Sequence, residues 1–488
     1  MLNTEEEYAV KHTTTRGALA LVLATSVMAT AFAVPEAAAA ETGLTLAVLQ
    51  SGSQKTVDTT VAGITRTTYT GGAGPWNVNV VVIDPDKAPL TLKGTFGTGL
   101  ATSQTTSAML QGVSVDALRQ PRVGVNGSFF DGNINNPASN SNDGDVSGIL
   151  VRGGKLLSEA SRGKGTNPVG SSLVLQHGRA YITELSTTMT VRPKNSAIAP
   201  RKLDGINRVP GRNAHCEGVT PNDPDEVIVD SVCLDSSEII SFTPEYAAPT
   251  PSTAFSVAAN DPDVPGAPVQ AAISTDEGIE LILDARSTVT ACYDSAPAPG
   301  STCQKANRGG RTVPPGGRIL QGIGQDAAWL RTNAPAGTEL ELLETVTDTR
   351  FGDTIALEPS MYVTAGGDLL LRDGAITYTQ PATNSDGSAY IPDAAPRTAV
   401  GTDGYGRTVL VTVDGRRTTI SKGATRLEMA TLLKDLGVID ALNMDGGGST
   451  TLVWQNAVAN HPSDGTDTER ERPIGDAVYA GAGGYPLP

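Results

Sequence analysis

Aromatic side chains are scarce in this sequence, at 4% of its 488 residues, which argues against an extended stacking platform for single-stranded nucleic acid. Positive charge is also in short supply, because 36 lysine and arginine residues stand against 52 aspartate and glutamate residues, giving a formal net charge of −16. Such a protein repels phosphate backbones and anionic lipid surfaces over most of its area. We therefore expect no nucleic-acid partner, and we expect any anionic substrate to be held in a local basic pocket.

Histidine and cysteine are rare, with four residues of each. None of the histidines lies in a motif described below, so catalysis by histidine is not expected. The cysteines all lie in the middle third of the chain and show no C-x2-C spacing, which disfavours a zinc site. Pairing between neighbours in the sequence predicts two disulfides, Cys216–Cys233 and Cys292–Cys303, and disulfides are typical of exported proteins.

Long apolar runs are absent after the first 40 residues. Lys11 and Arg16 precede an apolar run at residues 18–34, and four alanines follow at 37–40. This order predicts a signal peptide over residues 1–40 and a mature protein that begins near Glu41. An uncleaved membrane anchor is the alternative, but an apolar run of about 17 residues is short for a membrane span. We expect a secreted, extracellular protein with no membrane span after cleavage.

Glycine and proline, by contrast, are abundant, with 54 and 31 residues. Short apolar runs bounded by turn residues predict β-strands at residues 76–83, 148–152, 172–175, 408–413 and 438–444. One helix is clear, because Thr425 and Glu428 have capping-box spacing and Gly437 stands at the C-terminal end. With the strands on either side, this helix forms a βαβ-like unit. The sequence therefore predicts an α+β fold of mixed β-sheets with few helices.

The composition of the middle third differs from that of the rest of the chain. Proline, asparagine, aspartate and cysteine cluster there between short β-like runs. We therefore predict a signal peptide at 1–40, the N-terminal part of the main domain at 41–190, a β-rich disulfide-containing insertion or subdomain at 191–350, and the C-terminal part of the main domain at 351–488.

Residues 443–451 (NMDGGGSTT) form the strongest candidate site. Asp-Gly occurs nine times in the sequence, so this dipeptide alone would be an ordinary turn. Three consecutive glycines cost backbone entropy, but they allow close backbone approach to a ligand with N–H groups that can point at an anion. A flexible linker is the alternative, and the apolar strands on either side argue against it. The candidate residues of this loop are Asp445, Gly446, Gly447, Gly448, Ser449 and Thr450.

Two further segments adjoin apolar strands. In residues 396–401 (PRTAVG), Arg397 follows a proline, and its guanidinium could clamp a phosphate or carboxylate with two parallel hydrogen bonds. The alternative is a surface arginine paired with a neighbour. In residues 126–131 (NGSFFD), Asn126 could donate to a sugar hydroxyl or a phosphate oxygen, and the phenylalanine pair could wall an apolar pocket. The alternative is a turn stapled by phenylalanine.

Taken together, these segments resemble the phosphodiester glycosidase family. The matching motifs occur in the family's order at residues 125–127 with 129–130, 396–401, 414–416, 443–450 and 472–473. Two positions depart from the family's pattern and could change the fit of the substrate. Ser128 stands where glycine or an acidic residue is usual, and residues 366–368 read Gly-Gly-Asp in place of Gly-Gly-Pro.

The resemblance implies hydrolysis of a sugar C1–O bond with a phosphate ester as the leaving group. That leaving group is a weak base, so the harder tasks are to neutralise the charge of the diester and to stabilise an oxocarbenium-like centre. Arg397 and the amides of the three glycines suit the first task. Asp445 suits the second or activates water, with Asp414 and Asp131 as lower-ranked partners. The predicted substrate-binding residues are Asn126, Gly127, Phe130, Asp131, Thr398, Gly446, Gly447, Gly448, Ser449 and Thr450.

The predicted partner is a carbohydrate phosphodiester. The sequence identifies no cofactor with certainty and leaves room for a divalent cation (Ca or Mg). Two alternatives stay open: an exo-glycosidase on neutral glycans, in which Arg397 forms a structural salt bridge, and a non-catalytic sugar-binding envelope protein. The enzyme and the binding protein differ in whether Asp445 has a second carboxylate within about 5–10 Å, the separation that glycosidases use.

Overall fold

β-Strands dominate the chain, as the abundance of turn residues between short apolar runs predicts. The computed structural model describes residues 43–72, 74–114, 121–130, 146–160, 170–214, 226–229, 232–235, 237–252, 254–257, 271–274, 278–382, 391–465 and 469–482. The predicted signal peptide, Asp131 and Cys216 lie outside these residues, so the first disulfide stays a prediction. The second disulfide is confirmed, because Cys292 and Cys303 are bonded with their Cα atoms 4.5 Å apart.

The described residues contain four α-helices: α1 (Leu46–Gly52), α2 (Thr106–Ser114), α3 (Gly324–Asn333) and α4 (Arg426–Asp435). The predicted capping box of α4 is confirmed, since the Glu428 N–H donates to Thr425 Oγ1 at 3.1 Å and the Thr425 N–H donates to Glu428 Oε2 at 2.8 Å. Gly437 follows the helix with a φ of 81°, a conformation that glycine adopts without strain. No helix in the described ranges is long and apolar enough to cross a membrane.

The strands of the first half are β1 (Gln54–Asp58), β2 (Ile64–Gly71), β3 (Trp76–Ile83), β4 (Thr91–Thr95), β5 (Pro121–Asn126), β6 (Leu150–Arg152), β7 (Lys155–Ser158), β8 (Ser171–Gln176), β9 (Arg179–Pro193), β10 (Arg201–Lys202), β11 (Gly205–Ile206), β12 (Arg212–Ala214), β13 (Glu226–Val229), β14 (Val232–Asp235), β15 (Ile239–Phe242) and β16 (Ala254–Val257). Those of the second half are β17 (Ala271–Ser274), β18 (Ile279–Leu283), β19 (Val289–Asp294), β20 (Gln304–Lys305), β21 (Arg318–Gly322), β22 (Leu340–Asp348), β23 (Asp353–Ile355), β24 (Tyr362–Ala365), β25 (Leu369–Arg372), β26 (Ala375–Ile376), β27 (Arg397–Asp403), β28 (Thr408–Val413), β29 (Val438–Asn443), β30 (Leu452–Trp454), β31 (Ala457–Val458) and β32 (Ala477–Gly481).

An eight-stranded antiparallel sheet in the order β1-β2-β3-β28-β27-β29-β25-β26 organises the molecule. The predicted βαβ-like unit is part of it, but β28 and β29 are not neighbours. Both pair antiparallel with β27, which lies between them, so the two strands run parallel to each other. Periodicity identified each element and could not show this interposed strand.

The central strands of this sheet are buried on both faces. Leu410 packs in a core shared with the other large sheets, whereas its neighbours Val409 and Val411 pack in the core beneath α1 and α4. This alternation follows from the period of two along a strand. Largely apolar strands of this kind are covered on both faces. Their burial fixes the positions of the strand ends.

The remaining sheets complete an α+β architecture. One has the order β23-β22-β9-β8-β24-β6-β7 with β10 beside β9, one has β11-β15-β21-β18-β19-β20, and one has β31-β30-β5-β32-β4; two small sheets are β12-β14-β13 and β16-β17. The α+β class and the β-rich middle third are therefore confirmed. Whether residues 191–350 form a separate subdomain stays a prediction.

Strand ends from two sheets come together at one edge. Arg397 is the first residue of β27 and lies opposite Val413, the last residue of β28. Asn443 is the last residue of β29 and pairs with β27 at Ala399. In the second sheet, Asn126 ends β5 opposite Ala477 at the start of β32. The loops that leave these ends carry most of the residues that the sequence predicts for the site.

Candidate active site

Asn126 joins the two sheets at this edge. Its side chain is fully buried, its Nδ2 donates to the Asp445 carbonyl at 2.7 Å, and its Oδ1 accepts from Thr398 Oγ1 at 2.8 Å and from the Thr451 N–H at 3.2 Å. These bonds hold both ends of the glycine loop against β27. Asn126 and Thr398 are therefore bonded to other protein groups, and these bonds hold the glycine loop in place.

Gly127 is bonded through its backbone to two aspartates, Asp445 and Asp476. The Asp445 N–H donates to the Gly127 carbonyl at 3.1 Å, and the Gly127 N–H donates to the Asp476 carbonyl at 2.8 Å. A Cβ on Gly127 would lie 2.2 Å from Asp476 Oδ1, so only glycine leaves room for that carboxylate. Sequence reasoning missed Asp476. Its signals are its position directly before a buried apolar strand and close behind the family-like Arg472-Pro473.

Asp476 is fully buried and held by two donors. The Ser128 N–H donates to its Oδ1 at 2.6 Å, and the Tyr362 hydroxyl donates to its Oδ2 at 2.9 Å. Burial raises the pKa of Asp476, while these donors favour the ionised form. Ser128, at which the sequence departs from the family, therefore contributes its backbone to the site.

Asp445 has the electrostatics of a group that exchanges protons near neutral pH. It is 9% exposed, and burial raises its pKa from 3.8 to about 6. Nearby Ser449, the Arg472 charge and the Gly446 N–H lower that pKa, and the Asp476 charge raises it. The Ser449 hydroxyl lies near enough to have this effect, although its geometry falls short of a hydrogen bond. Perturbation by burial together with a second carboxylate is typical of catalytic acids and bases.

The three glycines of the loop lie close to neighbouring protein groups, which are backbone at Gly446 and side-chain ends at Gly447 and Gly448. A Cβ on Gly446 would lie 2.8 Å from the Pro396 carbonyl, one on Gly447 would lie 2.8 Å from Arg416 Nη2, and one on Gly448 would lie 2.7 Å from Arg472 Nη2. Gly447 also has a φ of 59°. The prediction of close backbone approach is thus explained by these contacts within the protein.

Two of the amides that the sequence analysis assigned to an anion have internal acceptors. The Gly446 N–H donates to Asp445 Oδ1 at 2.8 Å, and the Gly447 N–H donates to the Pro396 carbonyl at 2.9 Å. These two amides are therefore engaged within the protein, and the surrounding guanidinium groups add positive charge at this loop.

Arg397 lies beside the first glycine. Its Nε donates to the Ala424 carbonyl at 2.9 Å and its Nη2 to the Asp393 carbonyl at 2.8 Å, while its Nη1 lies 3.8 Å from the Cβ position of Gly446. The half-buried guanidinium is therefore oriented by backbone carbonyls. Arg397, Arg416 and Arg472 together place three cations around the loop of a protein whose overall charge is strongly negative.

Asp414 is buried and bonded to a neighbouring segment. Its Oδ1 accepts from Asn460 Nδ2 at 2.8 Å and its Oδ2 from the His461 N–H at 2.9 Å. Burial raises its pKa, and these donors oppose that rise. Asn460 also donates to the Thr450 carbonyl at 3.1 Å, so Asp414 supports the end of the glycine loop through Asn460.

Of the other predicted residues, Phe130 packs in a hydrophobic cluster, and Ser449 and Thr450 lie in the glycine loop. Phe130 packs against the cluster of Met109, Ile474 and Ala477, as expected for a staple. Ser449 and Thr450 are buried, and their hydroxyls have no hydrogen-bond partner among the described residues. Within those same ranges, no group of three or more histidine, cysteine, aspartate or glutamate side chains is arranged to hold a metal ion, and a divalent cation stays a prediction.

The candidate site is thus a buried carboxylate on a glycine loop with three arginines beside it, and most of it lies in a range that matches a known family. The phosphodiester glycosidase family model matches residues 300–480, a range that includes Arg397, Asp445 and Asp476. The predicted resemblance to this family is confirmed over this range.

Individual relatives match shorter stretches. The bovine N-acetylglucosamine-1-phosphodiester alpha-N-acetylglucosaminidase is 36% identical over 114 residues, which are 22% of this chain and 21% of that protein. The human protein of the same name is 35% identical over 114 residues, 22% of each chain. This chain therefore spans about a fifth of the length of the curated relatives it matches.

Solved structures cover most of the chain. A Burkholderia pseudomallei protein described as exported matches 84% of this chain and 74% of its own, with a TM-score of 0.64 and 25% identity. A Synechocystis protein matches 88% of this chain and 68% of its own, with a TM-score of 0.55 and 17% identity. The second likeness shows the fold alone.

Proposed function

We propose that this protein hydrolyses the glycosidic C1–O bond of a sugar-1-phosphodiester and releases free sugar and a phosphomonoester. The observation that carries the proposal is the position of Asp445. It is a buried carboxylate with a pKa near 6, next to a second carboxylate and to a loop ringed by three arginines. The motif resemblance and the family match over residues 300–480 support the same chemistry.

In the proposed reaction the two ends of the substrate meet different groups. The arginines at the glycine loop neutralise the diester, which makes its phosphate a better leaving group and favours charged substrates over neutral ones. Asp445 in its ionised form stabilises the oxocarbenium-like centre at C1 or activates the attacking water. Asp476 in its ionised form raises the pKa of Asp445. The pKa of Asp445 would then set an acid limb near pH 6 for turnover.

Two variants on matched substrates test this proposal. The substrates are an N-acetylglucosamine-1-phosphodiester and a neutral aryl glycoside of the same sugar. Asp445→Asn should depress kcat on both substrates by a similar factor, because it acts at the sugar centre. Arg397→Ala should cost about 2–4 kcal/mol of transition-state stabilisation on the diester and much less on the neutral glycoside.

The results also separate the alternatives. Equal losses on both substrates in Arg397→Ala would make Arg397 structural and favour a glycosidase of neutral glycans. Binding of sugar phosphates by wild-type protein that turns over neither substrate would favour a sugar-binding protein.

We further propose that the protein acts outside the cytoplasm on envelope or extracellular glycans. The charged, apolar and alanine-rich order of residues 11–40 supports export, as does the Cys292–Cys303 disulfide. N-terminal sequencing of secreted material should find a start near Glu41. Retention of residues 18–34 in membranes would contradict the proposal.

A further inference from the structure

Arg416 is held at the glycine loop by the turn that follows β28. Gly415 is packed so closely that a Cβ there would lie 2.7 Å from the Pro396 nitrogen, and Asp414 is fixed by Asn460 and His461. Arg416 itself has a φ of 62°, in the left-handed region that non-glycine residues seldom adopt. This backbone brings its Nη2 to within 2.8 Å of the Cβ position of Gly447.

The charge of Arg416 is not neutralised by the described part of the protein. Its one hydrogen bond there runs from Nη1 to the Ser463 carbonyl at 3.5 Å, the outer limit for such a bond. The neighbouring cations differ, because Arg472 pairs with Asp464 at 2.9 Å and Arg417 pairs with Glu469 at 2.9 Å. Arg416 is also exposed, so a charged ligand can reach its guanidinium without breaking an ion pair.

An unsatisfied hydroxyl lies on a segment that contacts Arg416. Ser463 is 1% exposed, and its Oγ has no hydrogen-bond partner among the described residues. It belongs to the residue whose carbonyl accepts from Arg416, whereas the hydroxyl of Ser449, two residues after Gly447, acts on Asp445. Buried polar atoms normally have a partner, so the hydroxyl of Ser463 beside a cation without a carboxylate partner indicates a place for an oxyanion.

We propose that Arg416 is, beside Arg397, a specificity-determining residue that contacts the phosphate of the substrate and so selects charged over neutral aglycones; this rests on the function proposed above. A guanidinium fork can hold two non-bridging oxygens of a phosphodiester in parallel. Arg472, with its charge matched by Asp464, shapes the loop and lowers the pKa of Asp445. Substrate discrimination then depends on Arg416 more than on its paired neighbours.

The test compares Arg416→Gln with the matched control Arg417→Gln, in which the adjacent arginine has its own carboxylate partner. On the phosphodiester, Arg416→Gln should lower kcat/KM by about 10- to 100-fold, the range for losing charge-assisted hydrogen bonds. On the neutral glycoside the loss should stay below about threefold, and Arg417→Gln should change either substrate by less than about threefold. Arg416→Lys, which keeps the charge and loses the fork, should fall between wild type and Arg416→Gln on the diester.

Two outcomes overturn the inference: an undiminished kcat/KM of Arg416→Gln on the diester, or equal losses on both substrates. If Arg416→Gln does not fold, as judged by its thermal unfolding, the same comparison on Arg416→Lys decides. Failure of the proposed function is recognised separately, because wild type would then turn over neither substrate. In that case calorimetric titration with the same diester tests the contact between Arg416 and the phosphate. An affinity at least tenfold lower in Arg416→Gln than in wild type supports the contact, and an unchanged affinity refutes it.

Discussion

Replacing Asp445 by asparagine should stabilise the folded protein at neutral pH while it removes activity. Burial raises the pKa of Asp445 from 3.8 to about 6, and each pKa unit corresponds to about 1.36 kcal/mol. Below pH 3.8 the carboxyl is protonated in both the folded and the unfolded state. As pH rises, the unfolded state ionises first, so wild type loses about 3 kcal/mol of stability in total, most of it between pH 4 and 6.

Asparagine stays neutral throughout, and it avoids this loss. The free energy of unfolding of Asp445→Asn should therefore exceed that of wild type at pH 7.5, and the difference should shrink towards pH 4. Urea unfolding of both proteins at a series of pH values measures it. Thr450→Val is the control, because it changes the same loop without a titratable group and its effect should not depend on pH. A difference that is constant with pH, or that favours wild type as pH rises, would refute the burial argument.

Two further changes test the frame around the site. Gly127→Ala should cost about 1–3 kcal/mol of stability and most activity, because its Cβ would collide with the Asp476 carboxylate. The control is Gly112→Ala, on the open face of α2, which should be neutral or slightly stabilising. A fully active Gly127→Ala would show that the site does not need this close fit. Replacing both Cys292 and Cys303 by alanine should cost about 3 kcal/mol by the loop-entropy estimate. Reduction of wild type should reproduce that loss in denaturant unfolding, and stability unaffected by either treatment would contradict it.

Local chemistry in the sequence determined the elements and the loop. Strand β3 at Trp76–Ile83 and strand β28 at Thr408–Val413 follow from short valine-rich runs bounded by turns, and α4 follows from its capping box. These features depend on residues a few positions apart, so a periodic pattern suffices to predict them. The three glycines likewise marked a loop in which backbone and other groups approach closely.

Only the tertiary structure decided which groups meet at the candidate site. Asp476 meets Asp445 across Gly127, because β32 pairs with β5 and the end of β5 is bonded to the loop after β29. Contacts between distant segments also bond Asn126 to the glycine loop, and Arg416 has no carboxylate partner in the described residues. Burial and charge neighbours are properties of segments that meet from distant parts of the chain. A pKa near 6 therefore arises from packing that no local pattern of residues specifies.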